Sequence, residues 1–245
     1  MAFTRRSFLA GLMGCPFCAA AARAAEGAYW SYADAQNWGT HNRAYQSCST
    51  GGEQSPIDLT NAIRADIRAP KLSWKAQAFK IVNNGHTIQA EVAPGCFATL
   101  GNRKFEFAQF HFHAPSEHAI GGKRTAMEAH FVHGGEGGAL LVLGALLKAG
   151  AKNKVFTSIM AAAPPIEGEA KLNEPVDPAA LLPKRRAFFR YEGSLTTPPC
   201  SEVVNWYVFA NPVEVAASDI EAFKKLFPMN ARPLQTLHRR FVLRN

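Results

Sequence analysis

Short runs of alternating or β-branched and aromatic residues, broken by Gly, Pro and Asn, dominate the chain between residues 79 and 210. Successive side chains of an extended segment point to opposite faces, so such runs read as strands with one or both faces buried. They predict strands over residues 79–82, 87–92, 97–100, 105–113, 126–133, 139–147, 188–191 and 203–210. Asn83-Asn84-Gly85 is a strong hairpin-type turn between the first two. Helical signals are fewer. Residues 152–162 are one candidate, and residues 217–226 another, with Ser218 and Glu221 at capping-box spacing. Residues 167–183, with Pro175, Pro178 and Pro183, read as a loop. Repeats, low-complexity blocks and long linkers are absent. The expected architecture is mixed and predominantly β: a single domain on a large central, mainly antiparallel twisted sheet with short peripheral helices.

Candidate chemistry sits on two of these strands. In Phe110-His111-Phe112-His113 the period of two puts both imidazoles on one face and both phenyl rings on the other. Glu128, His130 and Val132 obey the same parity on the next strand. If the two strands pair antiparallel, His111, His113 and His130 converge with no acidic ligand among them. Three neutral nitrogens suit Zn2+ with an open fourth position, a catalytic rather than a structural arrangement. Gln109 and Glu128 share faces with these histidines and are placed to orient their rings. His118 and His133 fall outside the ligand parity and read as buried hydrogen-bonding residues. A cupin is a rival, since His111-x-His113-x-x-x-Glu117 reproduces part of its first metal motif, but no second motif follows.

Composition adds compartment and partners. Hydrophobic residues are 47% and charged residues 19%, which is ordinary for a globular chain. The formal charge of +8 includes Arg5, Arg6 and Arg23; without residues 1–24 the balance is 24 basic against 19 acidic. Basic residues are scattered rather than striped, so neither nucleic acid nor an anionic membrane is an expected partner. Thr4-Arg5-Arg6-Ser7-Phe8-Leu9, a short apolar tract and Ala22-Arg23-Ala24 read as a twin-arginine signal peptide over residues 1–24, leaving 25–245 as the mature domain. The tract is too short for a stable membrane span. Periplasmic or secreted location follows, with lipid anchoring at Cys15 as an alternative from Leu12-Met13-Gly14-Cys15. Cys48, Cys96 and Cys200 remain after cleavage, enough for one disulfide and an odd thiol. Cys48 and Cys200 lie in polar, turn-rich surroundings and are expected to pair. Cys96, beside apolar residues 97–100, is expected to be buried.

One further segment identifies a family. Residues 191–202, Tyr-Glu-Gly-Ser-Leu-Thr-Thr-Pro-Pro-Cys-Ser-Glu, join Tyr29-Trp30-Ser31-Tyr32, Gln54-Ser55-Pro56-Ile57, Asn83-Asn84-Gly85-His86, the histidine strands, Val204-Asn205-Trp206 and Asn230-Ala231-Arg232-Pro233. Together they resemble the α-class carbonic anhydrases, in particular exported bacterial members, across essentially the whole mature chain. The resemblance implies reversible hydration of carbon dioxide to bicarbonate and a proton by zinc-bound hydroxide, in a monomer or homodimer. It assigns the zinc ligands to His111, His113 and His130, with Gln109 and Glu128 as partners. Thr196 matches the threonine that accepts a hydrogen bond from the hydroxide, and Glu117 the carboxylate that takes the threonine's proton. Thr197 matches a pocket hydroxyl, His86 the proton shuttle, and Val132, Val142, Leu195, Val204 and Trp206 the apolar wall of the carbon dioxide site. Cys48 and Cys200 match the disulfide of extracellular members. A side esterase activity on small activated esters is also expected. The competing class is a non-catalytic binding module on the same fold, and the three intact histidines argue against it. Two departures stand out: a short Ala-Pro link after His113, which should open the mouth, and Gln89 where animal members carry Asn.

Overall fold

The computed structural model describes residues 30–245. The twin-arginine segment, Cys15 and the boundary at residue 24 lie outside the described residues. Among the described residues there are twelve strands: β1 (Ile63–Arg64), β2 (Lys71–Ser73), β3 (Gln77–Asn83), β4 (Ile88–Glu91), β5 (Phe97–Leu100), β6 (Arg103–His113), β7 (Met127–Gly134), β8 (Leu140–Ala149), β9 (Gly168–Val176), β10 (Phe188–Gly193), β11 (Val204–Val215) and β12 (Leu243–Arg244). They form one sheet in the order β1-β12-β10-β11-β8-β7-β6-β4-β3-β9, with β5 pairing both β6 and β2. Pairing is antiparallel except for β1 with β12 and β8 with β11. This agrees with the expected mainly antiparallel sheet in a single domain.

The strands carry apolar side chains on both faces, so both faces are covered. One face buries Phe79, Ile81, Phe105, Phe107, Phe110, Phe112, Phe131 and Leu143 beneath two helices, α1 (Lys154–Ala162) and α2 (Ala217–Leu226). Phe156 and Phe223 from those helices meet Phe112 edge-on at 5.0 and 6.3 Å. The other face carries a smaller apolar cluster of Ile57, Val142, Tyr191, Val204, Trp206 and Val208, and it is there that the histidines project.

A bulge in β6 reconciles a parity conflict. Phe105 and Phe107 are odd-numbered, Phe110 and Phe112 even-numbered, yet all four lie in one core. Pairing runs Phe107↔His133 and then Gln109↔Val132, so two β6 residues advance against one on β7. The extra residue flips the alternation between Phe107 and Gln109. Without it, Phe105 and Phe107 would share the face of His111 and His113.

The structure corrects two expectations. Residues 167–183 are not a loop: they hold β9, paired with β3, and a helical turn, Pro178–Leu181. β9 is an edge strand, mostly exposed, and Pro175 is tolerated there because an edge leaves one row of donors unpaired. Ser218 does not cap α2; its N-cap is Ala216, with no side-chain cap bond. By contrast Asn153 caps α1, accepting from the amides of Val155 and Phe156 at 3.1 and 3.2 Å. Short helical turns across residues 32–50 are too brief to register as periodicity; they surround the buried Trp38 and Tyr45. Cys48 and Cys200 form the expected disulfide and Cys96 is buried and free. Such a bond suits an oxidising compartment. Among the described residues no helix is long and apolar enough to cross a membrane.

Candidate active site

β6 and β7 pair with His111 opposite His130 and His113 opposite Glu128, so the three imidazoles meet on one face. Each ring turns one nitrogen to the protein. His111 Nδ1 donates to Gln109 Oε1 at 2.8 Å, and His113 Nδ1 to the backbone carbonyl of Asn230 at 2.7 Å. His130 Nε2 stands 3.0 Å from Glu128 Oε1, close enough for charge attraction but without a well-directed hydrogen bond. The nitrogens left over are Nε2 of His111, Nε2 of His113 and Nδ1 of His130. One nitrogen from each ring lies within 4.8 Å of the others. Nε2 of His113 is buried and has no hydrogen-bond partner. Burial, and then the neighbouring imidazoles, hold His111 well below the usual histidine range. Burial likewise lowers His113, against the opposing pull of Glu117. Both are therefore neutral near pH 7, each with a lone pair to offer. Three converging imidazoles and a buried, unsatisfied ring nitrogen fit a Zn2+ ion.

Two buried carboxylates flank this trio. Glu128 Oε2 accepts the backbone N–H of His118 and Oε1 accepts His118 Nδ1–H, both at 2.8 Å. Burial works to raise the Glu128 carboxyl, but His118 and His130 outweigh it and hold it well below the usual range. His118 Nε2 in turn lies 2.6 Å from the Tyr191 hydroxyl, which donates to Ser55 Oγ at 2.9 Å. Glu117 Oε1 accepts the backbone N–H of Arg232 at 2.8 Å. Its Oε2 faces His113 Nε2 at 3.6 Å and His130 Nδ1 at 3.8 Å, and has no hydrogen-bond partner. The expected hydrogen bond from Thr196 to Glu117 is thus not formed in this structure. Thr196 lies on a loop that its neighbours close by backbone hydrogen bonds. Leu195 N–H donates to Ser201 O at 3.0 Å and Cys200 N–H to Thr197 O at 2.9 Å, closing the loop on itself.

The apolar residues named from sequence come together. Val142, Val204 and Trp206 are buried in one cluster, with Val132 and Leu195 packed against it. The Trp206 ring lies 4.8 Å from that of His130, edge-on, so the cluster borders the histidines. Thr196 is buried and Thr197 half-buried on the loop between β10 and β11. Gln89 pairs with His111 across β4 and β6.

His86 sits on the β3–β4 turn, half-buried, its ring stacked on Trp30 with centroids 3.8 Å apart. Burial holds its pKa below the ordinary histidine value. Asn230 joins this turn to the trio. Its side-chain amide donates to His86 O and Phe112 O, while its Oδ1 accepts from Ala114 N. Asn230, His118 and Gly144 are not among the sequence-predicted site residues. Asn230 acts partly through a backbone carbonyl, which leaves no residue-type signal. Gly144 acts by leaving space: a Cβ there would stand 2.7 Å from Glu128 Oε1.

Comparison with known proteins agrees with this geometry. A family model described as eukaryotic-type carbonic anhydrase matches residues 33–245. Carbonic anhydrase of Neisseria gonorrhoeae is 39% identical over 233 residues, covering 92% of each chain. The carbonic anhydrase of a Nostoc species is 40% identical over 215 residues, 85% of this chain and 81% of that one. The α-carbonic anhydrase of Thermovibrio ammonificans, solved with sulfanilamide, superposes with a TM-score of 0.86 at 39% identity, covering 89% of this chain and 99% of the other. With the family model matching nearly the whole described chain and relatives about 40% identical over most of it, the chain belongs to the eukaryotic-type, or α, carbonic anhydrase family.

Proposed function

We propose that this chain catalyses the reversible hydration of carbon dioxide to bicarbonate and a proton, with Zn2+ held by His111, His113 and His130. The observation that carries the reading is the meeting of three imidazole nitrogens within 4.8 Å beside an apolar cluster. Zn2+ supplies Lewis acidity that lets water ionise near neutral pH, as established for carbonic anhydrases generally.

The chain's own residues do the rest. Gln109 and the Asn230 carbonyl fix the tautomers of His111 and His113, and the Glu128 carboxylate, 3.0 Å from His130 Nε2, draws that side of the ring outward, so that a lone pair from each ring is offered inward. Glu117 adds a buried negative charge 3.6 Å from one inward nitrogen, which favours a cation there. Carbon dioxide is uncharged, so Val132, Val142, Leu195, Val204 and Trp206 receive it by excluding water rather than by binding charge. Thr196, with Thr197 beside it, aligns the attacking water by a hydroxyl at the edge of that wall. His86, whose imidazole can change charge near neutral pH, takes the product proton outward. Attack on small activated esters follows from the same chemistry as a side activity. Residues 1–24 direct export, and the Cys48–Cys200 bond supports a periplasmic or secreted location.

A stopped-flow hydration assay with and without a strong chelator, paired with metal analysis of the purified mature protein, tests the reading. One zinc per chain and a chelator-sensitive rate are expected. A chelator-insensitive rate at background level would leave a binding module on the same fold.

A further inference from the structure

We propose that Glu167 is a positioning residue for His86: its carboxylate, held over the turn that carries the shuttle, sets how readily that imidazole takes up and surrenders a proton. The inference rests on the shuttle reading of His86 given above.

The placement is built by the backbone. β3 and β9 pair with Val82 opposite Glu169 and Asn83 opposite Gly168, so Glu167 falls just beyond the paired region, level with the β3–β4 turn. Asn83 Nδ2 donates to Pro164 O at 2.9 Å and ties the incoming loop to the same turn. The turn itself is rigid: Asn83 Oδ1 accepts from Gly85 N, and Asn84 Oδ1 from His86 N and Thr87 N. Gly85 is the residue before the shuttle, and the Glu167 side chain packs on it. A Cβ at Gly85 would stand 2.6 Å from Glu167 Oε1 and 3.1 Å from its Cδ, and the φ of +80° also favours glycine.

The other neighbours of His86 carry no charge. Trp30 stacks on one face, Tyr32 meets it edge-on at 6.4 Å, and Asn230 binds its carbonyl. Burial raises the Tyr32 phenol well above its ordinary value, so it stays neutral. Among the described residues, Glu167 is the charged group that acts on the His86 imidazole, and it opposes the effect of burial. It is also exposed, so its charge faces the solvent from which buffer molecules arrive. In each cycle the proton passes to the His86 ring and then to a buffer base, and Glu167 takes no part in the transfer itself. Its carboxylate favours the imidazolium on the way in and attracts cationic exchange partners at the mouth.

The test compares wild type, Glu167→Gln and Glu167→Asp, reading the His86 titration by NMR and the hydration rate in dilute buffer at low salt. Glu167→Gln should lower the His86 midpoint by about half a pH unit, the size expected for one partly exposed charged neighbour, and salt should shrink the difference. It should lower kcat about two- to threefold with a much smaller change in kcat/KM, and added imidazole should restore kcat. Glu167→Asp should recover most of both effects. A His86 midpoint unmoved in Glu167→Gln at low salt overturns the proposal, as does a moved midpoint with unchanged kcat. The midpoint is read without turnover, so its failure is separate from failure of the hydration reading, which a chelator-insensitive rate would end.

Discussion

The backbone carbonyl of Asn230 accepts the Nδ1 proton of His113 at 2.7 Å, while the side chain of the same asparagine holds the strand that carries the ring. Asn230 is 1% exposed and its side chain bonds Ala114 N, Phe112 O and His86 O. Asn230→Ala removes all three bonds at once. A buried N–H or carbonyl left unpaired costs about 1–3 kcal/mol, so a loss of about 2–5 kcal/mol is expected. The carbonyl that orients His113 loses its anchor too, and zinc affinity should fall about tenfold. Urea unfolding and competition with a fluorescent chelator read the two effects separately. Wild-type metal affinity in this variant would mean that the His113 ring is held from elsewhere.

Gly144 lies opposite His130 in the β7–β8 pair, and a methyl group there would press on Glu128 Oε1 at 2.7 Å and on Val208 at 3.3 Å. Both neighbours are buried, so neither can move into solvent. Gly144→Ala should therefore tilt Glu128 away from His130 and His118. The expected result is a loss of about ten- to a hundredfold in zinc affinity and about 1–3 kcal/mol in stability. Metal-to-protein ratio after dialysis against a weak chelator is the measurement. A variant that keeps full zinc content would show that the strand shifts to make room.

The Cys48–Cys200 bond closes a loop spanning 152 residues of sequence separation and anchors the segment that carries Thr196 and Thr197. In the chain-entropy account, opening so long a loop costs up to about 5 kcal/mol. The same change removes the side-chain tether from residue 200, whose backbone N–H donates to Thr197 O. Cys48→Ala/Cys200→Ala should therefore unfold at lower denaturant and also lose kcat under conditions where it remains folded. Equal kcat for the two proteins well below the unfolding transition would confine the bond to a role in stability.

The parts of this site legible in sequence are those where one residue type at one spacing does the chemistry. His111, His113 and His130 announce themselves by parity, and Phe110 and Phe112 by its complement. The β6 bulge also left a trace, the three-residue step from Phe107 to Phe110 inside a two-residue rhythm. What stayed hidden depends on tertiary placement. β9 is mostly exposed because it is an edge; only Leu172 and Val176 reach the core, too few to stand out beside Pro175, so its pairing with β3 is what shows it to be a strand. Gly144 contributes emptiness and Asn230 a main-chain carbonyl, and neither is a property of the isolated residue. The unformed bond between Thr196 and Glu117 shows the same limit from the other side. A motif names residue types in order along the chain, while the hydrogen bonds they make are set by tertiary placement.

His133 gives the chain a predictable weakness in acid. It is fully buried, its Nδ1 donates to the carbonyls of Phe131 and Leu141 at 3.0 and 3.2 Å, and its ring stacks on Phe107 at 4.6 Å and lies nearly parallel to Trp74 at 5.6 Å. Burial lowers its pKa to about 4, against an ordinary value near 6.5 in the unfolded chain. Above about pH 6.5 the ring is neutral in both states and has no effect on the pH dependence. As pH falls from 6.5 towards 4 the unfolded chain takes up the proton first, so stability is lost across that window, by about 3 kcal/mol in all. His111 and His113 titrate in the same sense, so the contribution of His133 must be read by difference. His133→Phe keeps the aromatic stack and removes the titration. It should lower stability at pH 7 by about 1–2 kcal/mol through the two carbonyls that lose a donor, yet flatten the decline between pH 6.5 and 4. Urea unfolding of both proteins at intervals across that range decides the matter. Parallel curves for wild type and His133→Phe would show that the buried ring already takes up a proton in the folded state.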